Sequence, residues 1–257
     1  MQNIVKAFTI VAGCAMAGGA SAQTVAALTG DNSLNHIDAK TWKVTKTVKI
    51  EGMTGRIAGI DVRPADGMLY ALGEDGTVAT VDPMTGKATM KSKLETMIQK
   101  GGTVTVDFNP VADRLRVMGS DGTNLRANVD DGKVVTDGKL KFKDGDMHAG
   151  KGSMIIAGAY TNSVKGAKET ALYDIDASGA FVKQAPPNDG VLSSLGMTGM
   201  KGKVVALDIA SMNGKDMGWV VDEGRAYSID LATGKMTEAG KIEGAAGDIR
   251  DIAVLGN

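Results

Sequence analysis

The sequence predicts an all-β fold: a single β-propeller of five blades, each of about four antiparallel strands, closed by pairing of the N- and C-terminal strands. Three observations predict it. A strand–turn–strand phrase recurs at blade-like intervals, a second apolar phrase carrying Asp-x-x-Pro precedes it, and the two ends of the chain read as complementary pieces of one blade.

The recurring phrase is clearest in Gly67-Met-Leu-Tyr-Ala-Leu-Gly-Glu-Asp-Gly76 followed by Thr77-Val-Ala-Thr-Val-Asp-Pro-Met-Thr-Gly86. It returns in Gly218-Trp-Val-Val-Asp-Glu-Gly224 followed by Arg225-Ala-Tyr-Ser-Ile-Asp-Leu-Ala-Thr-Gly234. The marker aspartates Asp38, Asp82, Asp130, Asp176 and Asp230 lie 44, 48, 46 and 54 residues apart. Asp next to Gly is turn chemistry: the carboxylate takes nearby backbone N–H groups and Gly supplies positive φ. The runs between turns are short and β-branched, which is the pattern of strands. A period of about 40–50 residues made of short strands is that of propeller blades.

The second phrase aligns Ile57-Ala-Gly-Ile-Asp-Val-Arg-Pro64 with Thr103-Val-Thr-Val-Asp-Phe-Asn-Pro110, and Met200–Ile209 is a divergent copy containing Asp208. Small apolar runs such as Met154–Ala159 suit innermost strands, where space near the axis is tight. Ile249-Arg-Asp-Ile-Ala-Val254 reads as an innermost strand with no blade after it, and Val25–Ile50 as a blade lacking one. Closure pairs them, because a ring leaves no open edge to protect. The expected blades are 23–50 plus 247–257, 51–100, 101–145, 146–195 and 196–246, with a short helix over Leu94–Lys100. A β-sandwich of the same strands is the alternative.

Bulk properties narrow the function classes. Of 257 residues, 43% are hydrophobic, enough for a real core, and the formal net charge is −1 with both signs interspersed. There is no basic block for nucleic acid, and no apolar run after residue 25 is long enough to span a membrane. The first 22 residues read as a signal peptide: Lys6, an apolar stretch Ala7–Ala17, and Ala20-Ser21-Ala22 as the cleavage motif. The domain then covers 23–257 and the protein is periplasmic or secreted. The alternative is a lipoprotein anchored through Cys14, since Val11-Ala-Gly-Cys14 resembles a lipobox. Cleavage before Gln23 removes the only cysteine, which excludes thiol catalysis and Cys-ligated metal.

The same residues resemble DUF4394, a bacterial family of exported repeat proteins. The resemblance rests on Gly59–Pro64 with Leu69-Tyr-Ala-Leu72, Asp107-Phe-Asn-Pro-Val-Ala-Asp-Arg-Leu-Arg-Val117, Asn124-Leu-Arg126, Ala159-Tyr-Thr-Asn162, Leu172-Tyr-Asp-Ile-Asp176 and Pro187-Asn-Asp-Gly190. It spans the mature chain and implies a propeller-like fold and export, with no activity or catalytic residues to transfer.

The densest polar group is Asp107, Asn109, Asp113, Arg114, Arg116, Asn124 and Arg126, with Asp61 and Arg63 one blade earlier. Three of seven arginines fall between 114 and 126. Arg114 and Arg116 share a strand face opposite Leu115 and Val117. Two readings stand side by side. The nine residues form an Arg-lined site for a small anionic molecule, glycan or protein terminus, or they tie neighbouring blades together as buried ion pairs.

Other chemistry is weaker. Asp144-Gly-Asp146 and Ser120–Asn124 lack the spacing of a calcium loop and read as turns. His36 and His148 have no metal or triad partner in sequence and read as surface or turn residues. Dispersed methionines such as Met68, Met118, Met154 and Met217 read as core filler. No cofactor or metal is expected. The function expected is a monomeric, non-catalytic binding or interaction module. The alternative is a periplasmic hydrolase or lyase on a carbohydrate or lactone, with Asp107, Asp61 or Asp208 as acid/base. Intact-mass measurement of the exported protein is expected to give a chain starting at Gln23; a diacylglyceryl-modified Cys14 overturns that processing.

Overall fold

Short strands, mostly of five to eight residues and joined by Asp/Gly turns, build the computed structural model, which describes residues 23–99, 101–200 and 203–256. The expected signal segment 1–22, including Cys14, lies outside them. Blade 1 contains β1 (Thr24–Thr29), β2 (Ser33–Asp38) and β3 (Lys43–Lys49). Blade 2 is β4 (Ile57–Val62), β5 (Leu69–Gly73), β6 (Thr77–Val81) and β7 (Ala88–Lys93). Blade 3 is β8 (Val104–Asn109), β9 (Arg114–Gly119), β10 (Asn124–Ala127) and β11 (Val134–Thr136). A two-residue strand, β12 (Lys141–Phe142), precedes blade 4: β13 (Ile155–Tyr160), β14 (Leu172–Asp176), β15 (Ala180–Gln184) and β16 (Val191–Met197). Blade 5 is β17 (Val205–Met212), β18 (Lys215–Asp222), β19 (Arg225–Ile229) and β20 (Met236–Lys241). The last strand, β21 (Ile249–Leu255), returns to blade 1.

Each blade is an antiparallel meander, and β21 pairs with β1 in the register Val25↔Val254 and Ala27↔Ile252. The innermost strands β21, β4, β8, β13 and β17 neighbour one another in that order, and β17 meets β21 again. The protein is therefore a closed five-bladed β-propeller.

The core lies between blades, in five clusters, one per junction. Blades 1 and 2 enclose Leu28, Leu34, Ile60 and Leu69; blades 2 and 3 enclose Tyr70, Phe108, Leu115 and Val117. Blades 4 and 5 meet over Ile175, Phe181, Leu207 and Ile209, and blades 5 and 1 over Trp42, Val221 and Ile252. The junction of blades 3 and 4 differs: Met118 is blade 3's apolar contribution to it, against Tyr160, Leu172, Val182 and Leu192.

The glycine four residues after Asp82 or Asn128, closing the turn at the end of the third strand, has a specific task. Gly86 and Gly132 have φ of +77° and +78°, and a Cβ on either would stand 2.1 Å from the carbonyl oxygen of Lys49 or Lys93, at the end of the preceding blade's outer strand. Only a residue without a side chain permits both the turn and that contact. Hydrogen bonds hold the strands at that approach, from Glu51 N–H to the Gly86 carbonyl and from Glu95 N–H to the Gly132 carbonyl.

Several expectations are corrected. Asp38, Asp82 and Asp230 mark the end of the third strand of their blades, but in blade 3 that place belongs to Asn128, with Asp130 two residues further into the turn, and Asp176 ends the second strand of blade 4. The same turn chemistry serves both hairpins, so one marker is a strand out of phase, and this explains the long final interval. Strand β12 pairs in parallel with β16, so Lys141 and Phe142 belong to the edge of blade 4 rather than to blade 3. Leu94–Gln99 is not helical. Leu94 and Ile98 are buried between blades 2 and 3, while the Leu94 and Glu95 N–H groups go to the Gly76 and Gly132 carbonyls instead of to a helical turn. His36 and His148 are buried: His36 Nε2 donates to the Pro83 carbonyl at 2.7 Å, and His148 Nδ1 lies 3.0 Å from Ser194 Oγ. Of the four methionines assigned to the core only Met118 is there. Met68, Met154 and Met217 are exposed, because their positions at strand ends or outward faces leave them nothing to fill.

Candidate functional site

The propeller axis is lined by carboxylates, and the repeat puts them there. Asp61 sits near the end of β4 and Asp107 in the matching position of β8, with Asp208 in β17. Each reaches across a junction to the backbone of the next innermost strand. Asp61 Oδ2 accepts from Phe108 N at 2.6 Å, Asp107 Oδ1 from Tyr160 N at 3.0 Å, and Asp208 Oδ2 from Val254 N at 2.6 Å. Blade 1 has Ala253 at the equivalent position and uses Asp251, two residues earlier, whose Oδ2 takes Ile60 N at 2.8 Å. Blade 4 has Ala159 there, so the junction from blade 4 to blade 5 lacks the tie. Gly59 makes room for the arrangement: a Cβ on it would lie 2.8 Å from Asp251 Oδ2.

Asp61, Asp107 and Asp208 each bring an oxygen within 4.8 Å of the others, and all three are buried. Burial pushes the Asp61 and Asp107 carboxyls well above the usual range, and the charge of Asp208 on Asp61 and of Asp61 on Asp107 adds to it. Burial raises Asp208 to about 6 and Asp251 to about 8. At neutral pH the cluster holds protons as well as charge, since three carboxylates this close do not all ionise. Such a group can bind a proton or a small cation, or exchange a proton with a small molecule. The mouth over it, beside Asp61, Asp208 and Val254, is about 110 Å³.

The predicted Arg cluster resolves into two separate clamps. Strand alternation places Asp107, Arg114, Arg116, Asn124 and Arg126 on the face of blade 3 that meets blade 4, opposite the apolar Leu115, Val117 and Leu125. Arg116 is only 1% exposed. Its guanidinium donates to the Tyr160 hydroxyl at 3.1 Å, to Asn124 at 2.9 Å, to Asp137 at 2.6 Å and to Asn188 at 2.9 Å. Arg126 forks onto the same Asp137 carboxylate at 2.6 and 2.9 Å. Asn124 also donates to the carbonyls of Gly138 and Pro187. The second clamp joins blades 2 and 3. Arg63 forks onto Asp113 at 2.8 and 2.7 Å and also holds Asp130 at 2.9 Å. These partners raise its pKa further, Asp113 foremost.

The remaining predicted residues act mainly within blade 3. Asn109 closes the turn after β8 through Val111 and Ala112 N–H and its side chain also bonds Tyr160 of blade 4, while Arg114 reaches the Ala112 and Asp113 carbonyls. Asp113 adopts a positive φ of 50° to present its carboxylate to Arg63. Sequence reasoning missed Asp137, the anion shared by two arginines, because it follows a weak repeat copy. It also missed Asp174, fully buried beside Gly158 in the same seam, where burial pushes its carboxyl up and both oxygens lack a protein partner among the described residues.

Fold and axis together define a five-bladed β-propeller whose blades are tied by buried carboxylates and arginine clamps. The chain belongs to the family described as a domain of unknown function (DUF4394), whose model matches residues 33–253. Among curated proteins, none matches it. Similar solved structures include the computationally designed Ika8 protein, at 14% identity over 84% of this chain and 62% of that chain, with a TM-score of 0.38. Another is dihydro-heme d1 dehydrogenase NirN in complex with DHE, at 13% identity over 86% of this chain and 44% of that one, with a TM-score of 0.39. The designed Ika4 protein matches at 14% identity over 74% and 94%, with a TM-score of 0.37. The chain thus spans under two thirds of the first two. No helix among the described residues is long and apolar enough to cross a membrane.

Two outcomes follow. Carboxyls raised in the folded state stabilise it most below their unfolded value of 3.8, and that stability is lost as pH rises through about 6 for Asp208 and about 8 for Asp251. Urea midpoints are expected to fall from pH 4 to pH 8, and Asp251→Asn to flatten the slope by up to about 1.4 kcal/mol per pH unit. Arg116→Met leaves Asp137, Asn124 and Asn188 short of a donor and is expected to cost about 3–5 kcal/mol in urea unfolding.

Proposed function

We propose that this chain is an exported, non-catalytic binding module. One observation carries the reading: the carboxylates that would serve as acid and base already hold backbone N–H groups of the next blade, and the mouth above them is about 110 Å³. Pockets that take whole organic ligands are usually about 300 Å³ or more, and the smaller mouth supports a reading in which no glycoside or lactone is turned over by these groups. The arginines are engaged in the same way, with Arg116 and Arg63 given over to carboxylates and amides of their own blade or the next. Export is supported by the charge, apolar stretch and small-residue motif of residues 1–22.

A hydrolase or lyase is the second reading, favoured by the split protonation of Asp61, Asp107 and Asp208 within 4.8 Å of one another. Carboxyls whose environments separate their pKa values are a mark of acid/base pairs. Assays of the wild type and Asp208→Asn on chromogenic glycosides and lactones separate the two. No turnover is expected from either protein, with equal ligand-induced rises in Tm. Saturable wild-type turnover that falls by about a hundredfold or more in Asp208→Asn overturns the binding module.

A further inference from the structure

The opposite end of the axis, where the innermost strands begin, is built from cations. Arg56 immediately precedes β4, Lys203 lies two residues before β17, and Arg250 is the second residue of β21. Ring closure brings these distant positions to one cavity of about 220 Å³, in which Glu74 is the lone carboxylate of the lining. Arg56 is shared by Glu74 at 3.2 Å and Asp31 at 3.7 Å. Arg250 makes no ion pair among the described residues: burial and the charge of Arg56 lower its pKa, and Asp251, Asp31 and Glu74 act against them from further off. Its guanidinium donates to the carbonyls of Gly30 at 2.7 Å, Ile57 at 3.0 Å and Asp31 at 3.4 Å, and no described carboxylate lies within pairing distance of it or of Lys203. The wall between them is apolar, with Ala58 and Val205. Gly101, at φ +99° and with nothing within 4 Å of where a Cβ would stand, brings bare backbone to the rim.

We propose that this cationic mouth is a binding site for a carboxylate or phosphate group on a small organic molecule. The assignment rests on the reading of the chain as a binding module and names its site and ligand class. A guanidinium fixed by three carbonyls still presents positive charge to the cavity, and carboxylate and phosphate are the oxyanions its geometry matches. Three cations, Arg250, Lys203 and Arg56, face this mouth together with Glu74 and, beside Arg56, Asp31, while Glu223 and Asp248 line an adjoining cavity that shares Lys203. The attraction for an anion is therefore local to Arg250 and Lys203, the two that have no ion pair among the described residues, and the mouth at the other end holds Asp61 and Asp208. The cavity is smaller than the roughly 300 Å³ usual for a whole organic ligand, so it takes the anionic group and the carbon next to it, with the rest of the molecule outside the mouth.

Thermal shift and calorimetric titration of the mature chain with inorganic phosphate, citrate, glucose 6-phosphate and glucose test the assignment. Phosphate and glucose 6-phosphate report a phosphate site, citrate a carboxylate site, and glucose is the neutral control. At least one anion is expected to raise Tm saturably, with affinity falling as salt rises, while glucose has no effect. Arg250→Gln is expected to weaken that anion about tenfold or more, as for a charge-assisted hydrogen bond. Arg250 also braces three carbonyls, so the exposed Lys203→Gln serves as a second variant, with a loss of about two- to fivefold and an unchanged urea midpoint. Anions without effect, or an effect equal in both variants and the wild type, overturn the site. If glucose or a metal ion then raises Tm, the binding module survives without this site. Turnover lost in Asp208→Asn removes both.

Discussion

The structure depends on hydrogen bonds from the backbone of one innermost strand to a carboxylate on the strand before it. Five strands around an axis cannot pair edge to edge as one sheet, so their inner backbone groups need side-chain partners. Asp61, Asp107, Asp208 and Asp251 supply them at four of the five junctions. Burying these carboxyls is unfavourable for their charged forms, and protonation lowers that penalty. The axis is held by groups whose charge state is set by the fold itself.

The junction of blades 3 and 4 shows the same choice at larger scale. Blade 3 turns its apolar face to blade 2 and its polar face to blade 4, and Arg116 occupies the place a large hydrophobic side chain takes elsewhere. A buried ionic network contributes little net stability over a well-packed apolar one, but it fails sharply when one member is lost. It fixes which surfaces meet, since the fork of Arg116 and Arg126 on Asp137 tolerates little displacement. Blade 4 is the blade without an axial aspartate, and its seam with blade 3 holds most of the buried side-chain atoms that lack a protein partner.

Much of this was legible in the sequence. Blade number and ring closure followed from the repeat and the mismatched ends, because a blade is written in turn residues and alternating apolar runs. Asp61 and Asp107 were visible as aligned members of Asp-x-x-Pro, and Asp208 as a divergent copy. Asp251 was not, since it acts two residues out of register. Arg116 was singled out by arginine density, yet its partners Tyr160 and Asn188 belong to the next blade, and no local pattern links them. The cationic mouth was illegible: Arg56, Lys203 and Arg250 are isolated residues in three different blades, brought together by the ring alone.

Blade 1 is assembled from both ends of the chain, with β21 laid against β1. Contacts of such long sequence separation form late and slowly, because the loop entropy is spent before the pairing rewards it. Until β21 arrives, the inner edge of β1 is unpaired and the cluster of Val25, Ala27 and Ile37 lacks Ile249 and Ile252. Timing therefore matters: a ring still short of β21 presents a live sheet edge, the form most at risk of joining a neighbour instead of itself.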